Sequence, residues 1–147
     1  MRIKVGTTIP ATPAEIWADL EDLPSHVEWM RDAEAIRITS RRRRGVGTTM
    51  EVDTRIGPIS LLDRMEITEW DEGRAMGVRH SGLVTGSGRF TLRRRPGRRR
   101  STRFTWEEDL TFPWWLGGPA GALVGSQVLK SVWRANLRRL RARFDSP

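Results

Sequence analysis

The chain has 147 residues and a net charge of +8; 37% of its residues are hydrophobic, 30% are charged and none is cysteine. This balance excludes a disordered chain and predicts one soluble globular domain over residues 1–147. The lack of cysteine excludes disulfides and thiolate metal sites, and the first residues lack the apolar run of a signal peptide, so we expect a cytoplasmic protein.

The first part of the chain predicts one strand followed by two short helices. Residues 2–9 alternate between apolar and polar side chains, a pattern typical of a strand with one buried face. Thr12, Pro13 and Glu15 then predict a helix start, because threonine caps a helix, proline fits its first position and Glu15 completes a capping box. A second short helix is expected over about 24–31.

Six more strands are predicted where apolar and polar residues alternate between turn-forming residues. They lie near 34–40, 46–56, 59–70, 74–80, 84–94 and 102–112. Residues 71–74 and 95–98 have the composition of tight hairpin turns, which join antiparallel neighbours.

A long helix is predicted from about Pro119 to Phe144. Its apolar residues step by four, four, three and four, which places them on one stripe: Leu129, Trp133, Leu137, Leu140 and Phe144. Residues 110–129 carry no charge, but their prolines and glycines favour a loop that leads into this helix over a membrane span.

Three segments carry a family resemblance, together with this order of elements: the Ile-Pro-Ala-Thr-Pro-Ala-Glu-Ile-Trp opening at 9–17, Gly-Val-Gly-Thr at 45–48 and Thr-Arg-Phe-Thr-Trp-Glu-Glu at 102–108. The chain resembles the START-like, helix-grip (SRPBCC) superfamily, and within it bacterial proteins of the polyketide cyclase/dehydrase and lipid-transport type. This implies an α+β helix-grip domain. In it, a curved seven-stranded antiparallel sheet wraps around the long C-terminal helix, and two short helices follow the first strand.

Glu108 stands in the middle of the apolar face of the last predicted strand. An ionised carboxylate in a dry core needs a partner or a raised pKa, so Glu108 either pairs internally or faces a cavity that holds water or a ligand. Pairing through the 95–98 turn would place Glu108 roughly opposite Gly86. Glycines inside a strand leave room for another group to approach.

The faces of the strands predict a cavity between the sheet and the long helix. We expect its wall to include Trp29, Met76, Phe90, Trp106 and Trp133, with Asp63, His80 and Glu108 as polar points, Gly86 and Gly88 as gaps, and Trp115 near the mouth. The alternative is a filled core, in which Glu108 pairs with an arginine or a buried water and the glycines only relieve sheet curvature. Two histidines without metal-ligand spacing indicate no metal site, and no cofactor-binding fingerprint is present.

Two surface features remain open at this point. Trp114 and Trp115 either cover the mouth or touch a membrane interface, or they tuck under the start of the long helix. The arginine clusters at 41–44, 93–100 and 138–143 should meet at the end opposite the mouth. They are either solvated loops or an anionic-surface site, for which the candidates are Arg41, Arg42, Arg43, Arg44, Arg98, Arg99 and Arg100.

Three functions follow as hypotheses. The first is a carrier or sequestering protein for a small hydrophobic molecule, aromatic or lipid-like. The second is a polyketide cyclase or aromatase-type enzyme, in which Glu108 or His80 moves protons. The third is a binder of nucleic acid or of an anionic surface through the arginine clusters. The sequence does not indicate an oligomeric state.

Overall fold

The computed structural model describes residues 1–145, with Leu116 as backbone only; Ser146 and Pro147, the end of the predicted domain, lie outside this range. The strands are β1 (Arg2–Ile9), β2 (Ala33–Ile38), β3 (Thr49–Ile56), β4 (Ile59–Asp71), β5 (Ala75–Ser81), β6 (Thr85–Arg94) and β7 (Thr102–Thr111). The helices are α1 (Pro13–Leu20), α2 (Gly118–Ala142) and two 3₁₀ helices, Leu23–Glu28 and Trp114–Leu116.

The seven strands form one antiparallel sheet in the order β1-β7-β6-β5-β4-β3-β2. Strands that follow one another from β2 to β7 are therefore neighbours, which is why short turns suffice to join them. Irregular pairing in β2 and β4 bends the sheet, because a bulge increases local twist. With α2 packed against its inner face, this architecture confirms the predicted helix-grip fold.

The short helices begin where local chemistry places them. The Thr12 hydroxyl accepts a hydrogen bond from the Glu15 amide at 3.2 Å, as the predicted cap requires. The Glu15 carboxylate accepts from Arg100 at 2.9 Å. The second short element is a 3₁₀ helix that ends at Glu28, earlier than the predicted 31.

The helix α2 has two unlike halves. Its second half carries the predicted stripe, and Leu129, Trp133, Leu137 and Leu140 are buried against the sheet. From Gly118 to Val128, by contrast, no side chain is buried. Half of the helix therefore anchors to the core while the other half is in contact with solvent.

Trp114 and Trp115 precede this exposed half and are themselves 84% and 56% exposed. Of the two alternatives for this pair, the one in which both side chains tuck under the start of the helix is contradicted by their exposure. Within residues 1–145, none of the helices combines the length and the hydropathy that crossing a membrane requires.

Candidate ligand-binding site

A cavity of about 140 Å³ lies between the inner face of the sheet and α2. Its wall is mostly apolar, and side chains from β3 to β7 and from α2 contribute to it, among them Met50, Val52, Ile67, Met76, Phe90 and Trp133. Strand alternation explains this composition, because every second residue of these strands points to the inner face.

Most of the residues predicted for the wall are brought together there. Those that line the cavity are Asp63, Met76, His80, Gly88, Phe90, Trp106, Glu108 and Trp133. Three others do not line it. Trp29 is buried behind the wall with its ring centroid 6.1 Å from that of Trp106, Gly86 pairs with His80 in the sheet, and Trp115 lies on the outside.

The register between β6 and β7 corrects one sequence expectation. Glu108 pairs with Gly88, and Gly86 pairs with Leu110, so the predicted pairing of Glu108 with Gly86 is wrong by two residues. The cause is the length of the loop: Arg94 pairs with Thr102, so the connection is longer than the tight turn expected at 95–98.

Three predicted polar residues form one hydrogen-bonded cluster, which we call the polar patch: Asp63, His80 and Glu108. The Nε2 atom of His80 lies 2.8 Å from Oε2 of Glu108. On the other edge of the ring, Nδ1 lies 3.0 and 3.2 Å from the two oxygens of Asp63. The imidazole belongs to β5. It therefore links β5 to the adjacent strand β4 on one side and, across β6, to β7 on the other.

Gly88 makes this bridge possible. It lies on β6, the strand between those of His80 and Glu108, where it pairs with Glu108 on β7 and with Val78 on β5. A Cβ atom at residue 88 would lie 2.3 Å from Oε1 of Glu108, far inside van der Waals contact. The carboxylate therefore occupies the volume that a side chain on the middle strand would fill.

The charge of the patch follows from its contacts. Burial lowers the pKa of His80, but the hydrogen bonds to Asp63 and Glu108 and their negative charges outweigh it and raise that pKa to about 10. The imidazole is therefore protonated at neutral pH, and each of its N–H groups donates to a carboxylate. The sequence left open whether Glu108 pairs internally or faces a cavity. In the structure it does both, and its partner is a histidine rather than an arginine.

The aromatic wall is held in place by its own polar atoms. The indoles of Trp106 and Trp133 stack, with centroids 4.6 Å apart and planes 17° from parallel. The indole N–H of Trp106 donates to Oε1 of Glu108 at 3.2 Å, and that of Trp133 donates to Asp32 at 3.3 Å. Both rings therefore have fixed orientations.

Sequence reasoning missed Asp32 and the residue that positions it. Asn136 is fully buried on α2 and donates to the Asp32 carboxylate at 2.7 Å. Its place beside Leu137 on the inner stripe of α2 was the available signal, because a buried amide needs partners. His26 also lines the cavity; its Nε2 donates to the Leu20 carbonyl at 2.8 Å, and burial lowers its pKa.

The cavity opens beside the turn between β3 and β4. Leu62 and Phe112 line it and are also partly exposed, which marks this side as the mouth. Further exposed apolar side chains lie on the neighbouring turns and on the first half of α2: Ile59, Leu83, Trp114, Trp115, Leu123, Val124 and Val128.

One arginine from each of the three arginine clusters lies against α1 or its carboxyl end. Each pairs with an acidic residue of α1 or its carboxyl end: Arg44 with Glu21 at 3.1 Å, Arg100 with Glu15 at 2.9 Å and Arg143 with Asp19 at 2.7 Å. Arg98, Arg99 and Arg141 line a polar cleft there. We call this group of arginines around α1 the basic end.

A metal site is not found among residues 1–145. The polar patch illustrates the reason, since its two carboxylates face opposite edges of the His80 ring and do not converge on one point.

A family model described as polyketide cyclase/dehydrase and lipid transport matches residues 1–145. No curated protein matches the chain. Among solved structures, the chain is similar to TTHA0849 from Thermus thermophilus, with a TM-score of 0.80, 17% identity and coverage of 98% of this chain and 97% of that one.

Two further structures are similar over nearly the full length of both chains. A START superfamily protein from Mycobacterium smegmatis has a TM-score of 0.80 and 14% identity, with 98% of this chain and 97% of that chain covered. The Zhui aromatase/cyclase from Streptomyces sp. R1128 has a TM-score of 0.77 and 14% identity, with 99% and 93% covered. At such identities the likeness concerns the fold alone.

Proposed function

The chain belongs to the polyketide cyclase/dehydrase and lipid transport family, and we propose that it binds a small, mostly hydrophobic molecule, aromatic or lipid-like, between the sheet and α2. It acts as a carrier or sequestering protein for this molecule. The observation that carries the proposal is the cavity itself, whose apolar wall is interrupted by a few fixed polar groups. Small-ligand sites commonly have this composition.

The size of the cavity supports a compact guest. A cavity of about 150 Å³ lined by apolar side chains is known to stay dry and to bind benzene, and the cavity here has about 140 Å³. One aromatic ring therefore fits without rearrangement. A longer guest would extend through the mouth, past Leu62 and Phe112, towards the exposed half of α2.

The polar patch argues for a carrier rather than for the cyclase-type enzyme. An enzyme of that type would need His80 or Glu108 to exchange protons with the substrate. Both N–H groups of His80 are directed at carboxylates, and its pKa of about 10 leaves almost no free base at neutral pH. An effective acid–base catalyst has a pKa near the working pH instead.

The basic end is a weaker basis for function. Arg44, Arg100 and Arg143 already pair with acidic partners, which reduces the free positive charge of this end. The cleft lined by Arg98, Arg99 and Arg141 remains as a site for an anionic surface or nucleic acid. Binding to anionic vesicles or single-stranded DNA that falls steeply between about 50 and 200 mM salt would support this alternative.

The carrier proposal is tested with a variant that fills the cavity. Val78 lines the cavity on β5, and Val78→Phe would place a ring inside it. Thr68 lies exposed on β4, so Thr68→Phe adds the same ring outside and serves as the control.

Two measurements apply to the three proteins. Native mass spectrometry of freshly purified protein looks for a co-purifying small molecule, and intrinsic tryptophan fluorescence, to which Trp106 and Trp133 of the cavity wall contribute, follows titration with ethylbenzene. We expect ligand and ethylbenzene to be lost from Val78→Phe and kept by Thr68→Phe. Ethylbenzene binding that is equal in all three proteins, or absent from all, would contradict the proposal.

A further inference from the structure

The cavity wall has few polar side chains, and their hydrogen-bonding capacity can be counted. It includes three carboxylates, two imidazoles, two indoles and one hydroxyl: Asp32, Asp63, Glu108, His26, His80, Trp106, Trp133 and Thr54. Arg89 also borders the cavity, but its guanidinium pairs with Glu69, at 2.7 and 3.0 Å, on the outer face.

The N–H groups of these side chains already have partners inside the protein. The two N–H groups of His80 donate to the other members of the polar patch, Asp63 and Glu108. The indole N–H groups donate to Glu108 and Asp32. The Nε2 atom of His26 donates to a backbone carbonyl, which can only accept. Among the described side chains of the wall, the hydroxyl group of Thr54 is the one donor that none of these hydrogen bonds uses.

The acceptors, by contrast, are not used up. A carboxylate has about four lone-pair sites. The two oxygens of Asp63 share a single N–H of His80, and those of Glu108 each accept one hydrogen bond. The position of the proton within the patch does not alter this count, because a proton moved from His80 to a carboxylate would still bond to the ring.

From this inventory we propose that the polar patch selects hydrophobic ligands that carry a hydrogen-bond donor, such as an alcohol, a phenol or an amine. It discriminates against carboxylates and against ligands whose polar groups are only carbonyls. The inference rests on the proposed function, since it concerns a ligand bound in the same cavity. A carbonyl placed against the patch would lose its hydrogen bonds to water and gain none in return.

Charge adds to this selection. The patch combines two carboxylates with one imidazolium, so its net charge is negative, and it lies in an apolar wall where charges are weakly screened. A second anion brought to the patch is repelled, whereas an ammonium group is attracted. Free fatty acids are therefore poor ligands, and long-chain alcohols or amines are better ones.

The test uses four molecules of nearly equal size: ethylbenzene, 1-phenylethanol, acetophenone and benzoate. Their affinities for the full-length protein are measured at pH 7 by ligand-observed NMR or calorimetry. We expect 1-phenylethanol to bind about tenfold or more tightly than acetophenone or benzoate, the ratio typical of one hydrogen bond to a charged group. Ethylbenzene, which has no polar group, reports on the cavity alone.

The possible results separate the two proposals. If none of the four molecules binds, the proposed function fails, and this inference fails with it. If ethylbenzene binds while acetophenone binds as tightly as 1-phenylethanol, the cavity stands and donor selection is overturned. This comparison uses the unaltered protein, so it does not depend on any variant folding.

A substitution then locates the selection. Asp63→Asn introduces an amide N–H₂ group into the patch, so we expect the preference for 1-phenylethanol over acetophenone to fall at least threefold. Asp53→Asn is the matched control, because Asp53 is exposed, pairs with Arg37 and loses the same charge away from the cavity. An unchanged preference in a folded Asp63→Asn protein would contradict the assignment to this patch.

Discussion

The two faces of the sheet carry ion pairs in different environments. On the outer face, arginines pair with acidic residues of the adjacent strand or of the next strand but one, and both partners are well exposed: Arg37 with Asp53, Arg79 with Glu66 and, across β5, Arg89 with Glu69. On the inner face, one imidazolium lies between two carboxylates, and the side chains of His80 and Glu108 are 5% and 8% exposed.

The difference shows that burial, rather than geometry, sets the weight of an ion pair. Distances on the two faces are similar, 2.7 Å for Arg89–Glu69 and 2.8 Å for His80–Glu108. Water screens the outer pairs, whereas removing one partner of the inner cluster would leave a buried charge uncompensated. Adjacent residues on the same strands should therefore respond very differently to substitution.

The largest effect is expected for His80→Ala. It would leave the carboxylates of Asp63 and Glu108 near each other without a cation, and we expect the free energy of unfolding to fall by about 3–5 kcal/mol. Arg79→Ala, at the next residue on the outer face, should lower it by less than about 1 kcal/mol. Urea denaturation of both variants checks this, and equal losses would remove the contrast between the faces.

The pH dependence of stability is the next effect in size. The pKa of His80 is raised from 6.5 to about 10, so the folded protein binds one more proton than the unfolded chain between these values. The stabilisation is fully present below pH 6.5 and is lost as the pH rises towards 10, with a slope of up to about 1.4 kcal/mol per pH unit.

Urea denaturation between pH 6 and 9 measures this slope, with His80→Gln as the control. The variant lacks the titrating group, so its stability should change less over the same range. A slope that is the same in both proteins would show that His80 does not hold its proton more tightly in the folded state.

Two glycines on adjacent strands allow a third comparison. Gly88→Ala would place a Cβ atom 2.3 Å from the Glu108 carboxylate, and we expect a loss of about 1–3 kcal/mol because the buried cluster must shift. In Gly77→Ala the nearest atom is the Cβ of Glu69 at 3.0 Å, so the overlap is smaller and the buried cluster is not touched. In thermal denaturation, the melting temperature of Gly88→Ala should be well below that of Gly77→Ala. The reverse order would contradict the packing described.

The smallest effect is expected for Arg89 and Glu69. A double-mutant cycle to alanine should give a coupling energy between about 0 and 1 kcal/mol that decreases with added salt. The same cycle on His80 and Glu108 should give a larger energy with little salt dependence. A coupling above about 2 kcal/mol for the outer pair would show that exposure does not weaken it.

The sequence predicts the elements well because their signals are local. Alternation along Thr102–Thr111 and the helical stripe ending at Leu140 both follow from the period of one element. The inner face of β6 was likewise readable, since Gly88 and Phe90 share it with Leu92. These residues reach the cavity or the core without help from distant parts of the chain.

Errors arose where residues distant in sequence meet. The pairing of Glu108 depended on the exact length of the 95–101 loop, which composition does not set. The sequence left open whether Trp115 packs under α2 or stays exposed, because the answer depends on how the first half of α2 lies relative to the sheet. Asp32 gained its role from α2, through Trp133 and Asn136, a contact between residues about a hundred positions apart.

The shared volume at Gly88 and Glu108 has an evolutionary consequence. A long acidic side chain at 108 reaches across the middle strand only when 88 has no side chain, so the two positions cannot vary independently. Among homologues, we expect alanine or larger residues at 88 to accompany a shorter side chain at 108, as coupled substitutions do when two residues touch. Gly88 and Glu108 would then be kept or lost together in each lineage.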